Sequence, residues 1–403
     1  MIQLNQLQQT FVDMAVNWFY RSSSTLLQLA GYAGTGKSVV ISEILRRLRL
    51  SEDEVLPMAY TGQACTIMRK RGFSNACTCH SGLFIPIQEV ETDPETGMIR
   101  MNKTFNIPIV KWKFIPKDFT GTRIKLIILD EAWMVPKRFK NFIDRTGIKV
   151  IAAGDPGQLP PIGDSPGYLT EGPIFFLTEL MRQSENSPIV YLANRAREGK
   201  IIEPGLYGDS ALVIFDDELD NDLLSKANII LCGKNVTRDS INNKIRHEIL
   251  GFHTDYPLFG ERIICRKNNW ELDVNGIPLV NGLTGTVITP PEIGRFNGDI
   301  FLLDFLPDML DYPFVNLPIN YRYLNASHQE KEELKNNPYL FGERFEYSYA
   351  STVHLSQGSE YSAGIYIEEF LSKNIQKMLN YTAITRFKDK LIYVVHKPKY
   401  WRV

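Results

Sequence analysis

Leu26-Leu27-Gln28-Leu29-Ala30-Gly31-Tyr32-Ala33-Gly34-Thr35-Gly36-Lys37-Ser38 is an apolar run that breaks into a glycine-rich turn and ends on a cation and a hydroxyl. Just beyond it, Ile41, Ile44, Leu45 and Leu48 recur at the spacing of one helical face. A strand, a tight turn and a helix therefore follow one another. Gly31, four residues, then Gly36-Lys37-Ser38 is the spacing of a phosphate-binding loop. In such a loop backbone N–H groups surround the phosphates, which makes Gly31, Ala33, Gly34, Thr35 and Gly36 the candidate cradle. Lys37 would reach the terminal phosphates and the Ser38 hydroxyl would ligate Mg²⁺.

Further along, Leu126-Ile127-Ile128-Leu129-Asp130-Glu131 is an apolar strand ending in two carboxylates. Both emerge at the C-terminal edge of a parallel sheet, where ligands bind. Asp130 suits Mg²⁺ and Glu131 suits orienting and deprotonating an attacking water. The strand 149–153 runs into Gly154-Asp155-Pro156-Gly157-Gln158-Leu159-Pro160-Pro161, which brings Gln158 to the same edge, within reach of a γ-phosphate and that water.

Other buried-type runs at 228–231, 364–367 and 391–395 alternate with helical patterns, which predicts an α/β fold with two parallel sheets. Two stretches break the alternation. Residues 84–112 read as a β-hairpin turning at Thr92-Asp93-Pro94-Glu95-Thr96-Gly97, and 259–320 are rich in short strands, Gly and Pro, as in a small barrel. No repeat or low-complexity stretch is visible.

The chain has 403 residues, 44% hydrophobic and 23% charged, and balances 45 Lys+Arg against 46 Asp+Glu. That rules out a peptide-sized effector, a disordered chain and a global positive field, so polyanion binding must come from a local groove. Five cysteines, Cys65, Cys77, Cys79, Cys232 and Cys265, predict reduced thiols in a cytosol-like compartment. Cys65, Cys77, Cys79 and His80 cluster in sequence but match no usual zinc spacing. The first residues lack a signal pattern and no apolar run nears the ~20 residues of a membrane span, so the expectation is a soluble, cytoplasmic protein without membrane contact.

Taken in order, the loop 31–38, the strand ending in Asp130-Glu131, the stretch 154–161, then His354-Leu355-Ser356-Gln357-Gly358-Ser359-Glu360 and Tyr381-Thr382-Ala383-Ile384-Thr385-Arg386 resemble the motif set of superfamily 1 helicases. The likeness is greatest to the 5′-to-3′ branch that includes phage Dda and RecD. It implies two RecA-like cores, at 1–83 with 113–185 and at 186–258 with 345–403, interrupted by a strand-separating pin at 84–112 and an SH3-like barrel at 259–344. It implies ATP and Mg²⁺ as cofactors, and single-stranded and forked DNA as partners, alongside single-strand-binding or replisome proteins. A monomer in the host cytoplasm would be the working form if the source is a phage.

The same resemblance makes Arg182 and Arg386 arginine fingers, whose planar guanidinium groups suit a transferring phosphoryl. It gives Gln8 to the adenine and Glu360 to the ribose. Thr61, Gly62, Gln63 and His80 would touch the strand from the first core, and Asn235, Thr352, His354 and Ser356 from the second. Leu355 stands where relatives usually carry Lys. Phe84, Phe105, Trp112 and Phe114 are the aromatics available as a wedge, and Asn281-Gly282 resembles the barrel-turn motif. Two other readings stay open: an RNA-directed motor, because nothing here reads the 2′-OH, and a nucleotide switch that binds strand and ATP without moving.

Overall fold

The apolar runs 26–31, 126–129 and 149–154 have no polar side to present to water, so they go to the centre of a sheet covered on both faces. The computed structural model describes residues 4–102, 107–179, 187–296, 299–308, 310–335, 337 and 340–397. It separates into two compact units: Met1–Leu83, Lys117–Gly233 and Thr352–Val403 form one, and Phe84–Pro116 with Lys234–Ser351 the other.

The first unit holds two sheets. One is wholly parallel, ordered Ile174–Leu177, Leu26–Gly31, Lys149–Gly154, Leu126–Leu129, Val55–Ala59 and Cys77–Thr78. Leu29, Ile128 and Ile151 are fully buried there, and each such side chain contributes about 1.5–3 kcal/mol relative to exposure. Helix Gln6–Arg21 starts from a capping box between Asn5 and Gln8 and buries Phe11, Val12, Ala15 and Trp18. These side chains join Ile41, Ile44 and Leu48 of helix Lys37–Leu48 in one core.

The second sheet places Gly205–Tyr207, Ala211–Phe215, Phe387–Val395, Tyr361–Ile367 and Ile230–Cys232 side by side. All these pairings are parallel except the one made by Gly205–Tyr207. Helices Pro188–Glu198 and Lys373–Ile384 cover it. Its core takes in Leu159, from the loop that leaves the first sheet, with Tyr32 packed against it.

The other unit is antiparallel. Phe84–Val90 pairs with Val110–Pro116 in full register, and the reversal at 92–97 is closed by Gly97 N–H donating to the Asp93 carbonyl. Strands Glu292–Phe296, Ile300–Pro307, Thr284–Val287, Arg262–Cys265 and Phe345–Tyr347 form a sheet in that order, with Phe314–Asn320 on Ile300–Pro307. The borders differ from those expected. Helix Asn235–Asn243 belongs with the antiparallel strands rather than with the second parallel sheet, because Asn242 ties it to the Tyr347 carbonyl.

Candidate active site

Strand Leu26–Gly31 lies between two neighbours, so its C-terminal end opens at the middle of the sheet edge. The turn that follows needs left-handed backbone at Gly34 and Gly36, both at φ 81°, a conformation that costs a side-chain-bearing residue 1–2 kcal/mol or so. Gly36 caps helix Lys37–Leu48 without a side-chain hydrogen bond. The helix's first N–H groups therefore keep their partial positive charge free for an anion. Lys37 Nζ folds over the loop, donating to the Gly31 carbonyl at 2.7 Å and the Tyr32 carbonyl at 3.2 Å. This cradle of N–H groups and an ammonium fits the phosphates of a nucleotide.

Asp130 and Glu131 follow strand Leu126–Leu129, one strand removed from Leu26–Gly31 in the same sheet. Glu131 has φ 49°, a left-handed conformation that an extended side chain adopts only when its surroundings impose it. Burial pushes the Glu131 carboxyl above the usual carboxylate range; Arg386 and Lys37 oppose that shift, and Asp130 and Asp155 add to it. A base with a raised pKa is suited to accept a proton from water.

Gln158 is buried beside these groups, and its side-chain oxygen accepts from Arg386 Nη2 at 3.1 Å. Arg386 comes from the segment between helix Lys373–Ile384 and strand Phe387–Val395 of the second sheet. It is 5% exposed and also donates to the Thr382 and Ser359 carbonyls. A buried cation of the second sheet thus touches the first sheet's glutamine and acts on its acid inside one compact unit. Arg182, its expected companion, lies outside the described residues.

Glu360 pairs with Arg71 and Lys388. Burial raises its carboxyl, but hydrogen-bonded Lys388 and then Arg71 outweigh this and hold it below the usual range. Arg71 donates to Glu360 at 2.8 Å and, through its other nitrogen, to the Ser38 hydroxyl at 2.8 Å. Ser38 and Asp130 offer the hard oxygen donors that Mg²⁺ prefers, so the residues present fit that ion too.

Several expectations are revised by the packing. Gln8 does not offer its amide to a base: its oxygen accepts from Asn5 N–H at 3.0 Å, and its nitrogen donates to the Thr35 carbonyl at 2.9 Å. It serves as helix cap and strut beneath the phosphate loop. Thr61 caps helix Gly62–Lys70 through Ala64 N–H and turns its hydroxyl to the Gln357 carbonyl. Gln63 is buried and accepts from the Ser359 hydroxyl. These two side chains join the two sheets instead of facing outward. Ser356 is 1% exposed and donates to the Val353 carbonyl, and Thr352 is buried, accepting from Leu355 N–H.

His80 packs edge-on to Phe139 with centroids 4.6 Å apart, and burial lowers its pKa, as it does for His354. Both stay partly accessible, as does Gly62. Asn235 is exposed in the antiparallel unit. On the hairpin Phe84 is buried while Trp112 and Phe114 are exposed; Phe105 lies outside the described residues. Asn281-Gly282 forms a turn in which Gly282 N–H donates to the Cys265 carbonyl.

Three residues of the cleft went unassigned in the sequence. Tyr381 and Asp155 sit inside quoted motifs, where membership alone pointed to them. Arg71 stands in no motif, and its partners Ser38 and Glu360 are remote in sequence.

Residues 14–164 match the AAA domain family. The whole chain superposes on solved structures. A Candida albicans Pif1 helicase is 19% identical with a TM-score of 0.53, covering 98% of this chain and 95% of that one. A Bacteroides Pif1 bound to single-stranded DNA is 17% identical with a TM-score of 0.55, covering 99% and 95%. The chain has the Pif1 helicase fold. In sequence, an ATP-dependent DNA helicase Pif1 of Psychrobacter is 29% identical over 182 residues, 42% of this chain and 25% of that protein. The chain aligns with about a third or less of the length of the curated relatives it matches. No described helix is long and apolar enough to cross a membrane.

Proposed function

We propose that the chain is an ATP-driven DNA helicase that moves 5′ to 3′ along single-stranded DNA and opens forked duplex. The observation that carries this reading is Arg386 of the second sheet seated on Gln158 of the first, beside Glu131. A nucleotide-binding domain that merely switched would not need a buried cation from a second sheet at its hydrolytic edge.

In the mechanism that follows, the loop 31–38 binds the phosphates and Lys37 turns from the Gly31 and Tyr32 carbonyls to the terminal ones. Ser38 and Asp130 would hold Mg²⁺, which would neutralise phosphate charge. Arg71 then gives up the Ser38 hydroxyl. Glu131 accepts the proton of the attacking water, Gln158 orients that water, and Arg386 stabilises charge on the transferring phosphoryl. Glu360 takes the ribose. Arg182 is the second finger.

Because the nucleotide is held from both sheets, its hydrolysis loosens the cleft, and alternating grip on the strand turns this into movement. His80, His354, Gly62 and Asn235 are the strand contacts. The exposed hairpin is the pin, with Trp112 and Phe114 as its stacking aromatics, and the antiparallel sheet is the barrel inserted in the second RecA-like core. A monomer acting on forks in the cytoplasm, together with strand-binding or replisome proteins, completes the reading. Its test is unwinding of 5′-tailed against 3′-tailed DNA duplexes with and without ATP. Opening of the 5′-tailed substrate alone, only with ATP, is expected; opening of the 3′-tailed one, or stimulation of ATP turnover by oligo-U and not oligo-dT, overturns it.

A further inference from the structure

A hydrogen-bond relay joins the phosphate loop to the loop that presents Gln158, and it passes through one hydroxyl of the second sheet. Tyr381 Oη accepts from Ala33 N–H at 2.8 Å and donates to Asp155 Oδ2 at 2.6 Å. The directions are forced, since an amide N–H only donates and a carboxylate only accepts. Asp155 is fully buried, and its other oxygen accepts from Gly157 N–H at 2.9 Å. Gln158 N–H in turn donates to the Asp155 carbonyl.

The fit around this relay is close. A side chain at Gly157 would come within 3.1 Å of the Tyr381 ring. The next residue, Leu159, is gripped on both sides by the second sheet's residues: its N–H donates to the Thr382 hydroxyl at 2.9 Å, and its carbonyl accepts from Gln357 at 2.8 Å. Arg197 lies 3.5 Å over the Tyr32 ring, and Tyr32 meets Tyr381 edge-on.

We propose that Tyr381 is a positioning residue for ATP hydrolysis: its hydroxyl fixes the phosphate loop against the Asp155–Gly157 turn and so sets where Gln158 and Arg386 stand relative to the γ-phosphate. The inference rests on the ATPase reading above. It follows from connectivity. Ala33 lies one residue ahead of the cradle's first left-handed glycine, and Asp155 lies three residues ahead of Gln158, so the phenol couples the two loops by accepting from a backbone amide and donating to a buried carboxylate. Binding of the nucleotide depends on the loop and Lys37; alignment for hydrolysis depends on the relay.

Tyr381→Phe removes only the oxygen. The expected result is strand-stimulated kcat lower by about tenfold or more, with KM for ATP little changed. Affinity for a fluorescent ADP analogue and the melting temperature should stay near wild type. Amide exchange of the peptide containing Ala33 should quicken in the nucleotide-free protein, since that N–H has lost its acceptor. Asp155→Asn should reproduce the kcat loss and carries the test if Tyr381→Phe does not fold. Unchanged kcat, unchanged exchange at Ala33, or a loss of kcat in step with ADP affinity and melting temperature would overturn the relay. Absence of strand-stimulated turnover in the wild type would instead defeat the ATPase reading, which the Ala33 exchange measurement does not depend on.

Discussion

Gln8, which the family resemblance gives to the adenine, is engaged within the protein. Both ends of its amide bond to protein. Gln8→Ala should therefore lower stability by about 0.5–2 kcal/mol, the range for a lost helix cap, and leave the preference for ATP over GTP unchanged; thermal melting and turnover with each nucleotide check this. Glu131 gives a prediction with a sign. Burial raises its carboxyl above the usual carboxylate range, and only the ionised form can take a proton, so ATP turnover should fall as pH drops through that raised range. The acid limb should sit above the ordinary carboxylate range in a kcat–pH profile, and Glu131→Gln should abolish turnover. Lys37→Ala should likewise abolish ATP turnover, measured as phosphate release with oligo-dT present.

At the scale of elements, the parallel strands and the phosphate loop were legible because an unbroken apolar run and a glycine-rich turn each have a single physical reading. The same holds for Asp130 and Glu131, which ride on such a strand. Pairings between distant elements were not legible. Ser356 and Gln63 look like exposed loop polar groups until the second sheet covers them, and nothing in the local spacing tells that Ser359 would meet Gln63. The packing of helix Asn235–Asn243 with the antiparallel strands is not legible in the sequence, because its tie to the Tyr347 carbonyl joins segments far apart in the chain. The hairpin carries its own prediction. All seven residues of Val110–Pro116 are exposed, so its apolar side chains are spent on something other than a core. Shortening the turn 93–97 should impair duplex opening more than movement along bare strand, read by comparing unwinding with translocation on single-stranded DNA; equal loss of both would exclude a pin.

At the scale of the molecule, the proposed mechanism has two sheets closing over one nucleotide. The first supplies the cradle, Lys37, Asp130 and Glu131; the second supplies Arg386, already lodged against Gln158. The direct measurement is ATP turnover by Arg386→Ala with saturating oligo-dT, alongside binding of a fluorescent ADP analogue. Turnover is expected to fall by a factor of about 10³ or more while the analogue still binds; a variant that hydrolyses ATP at the wild-type, strand-stimulated rate would contradict the clasp on which the whole mechanism turns.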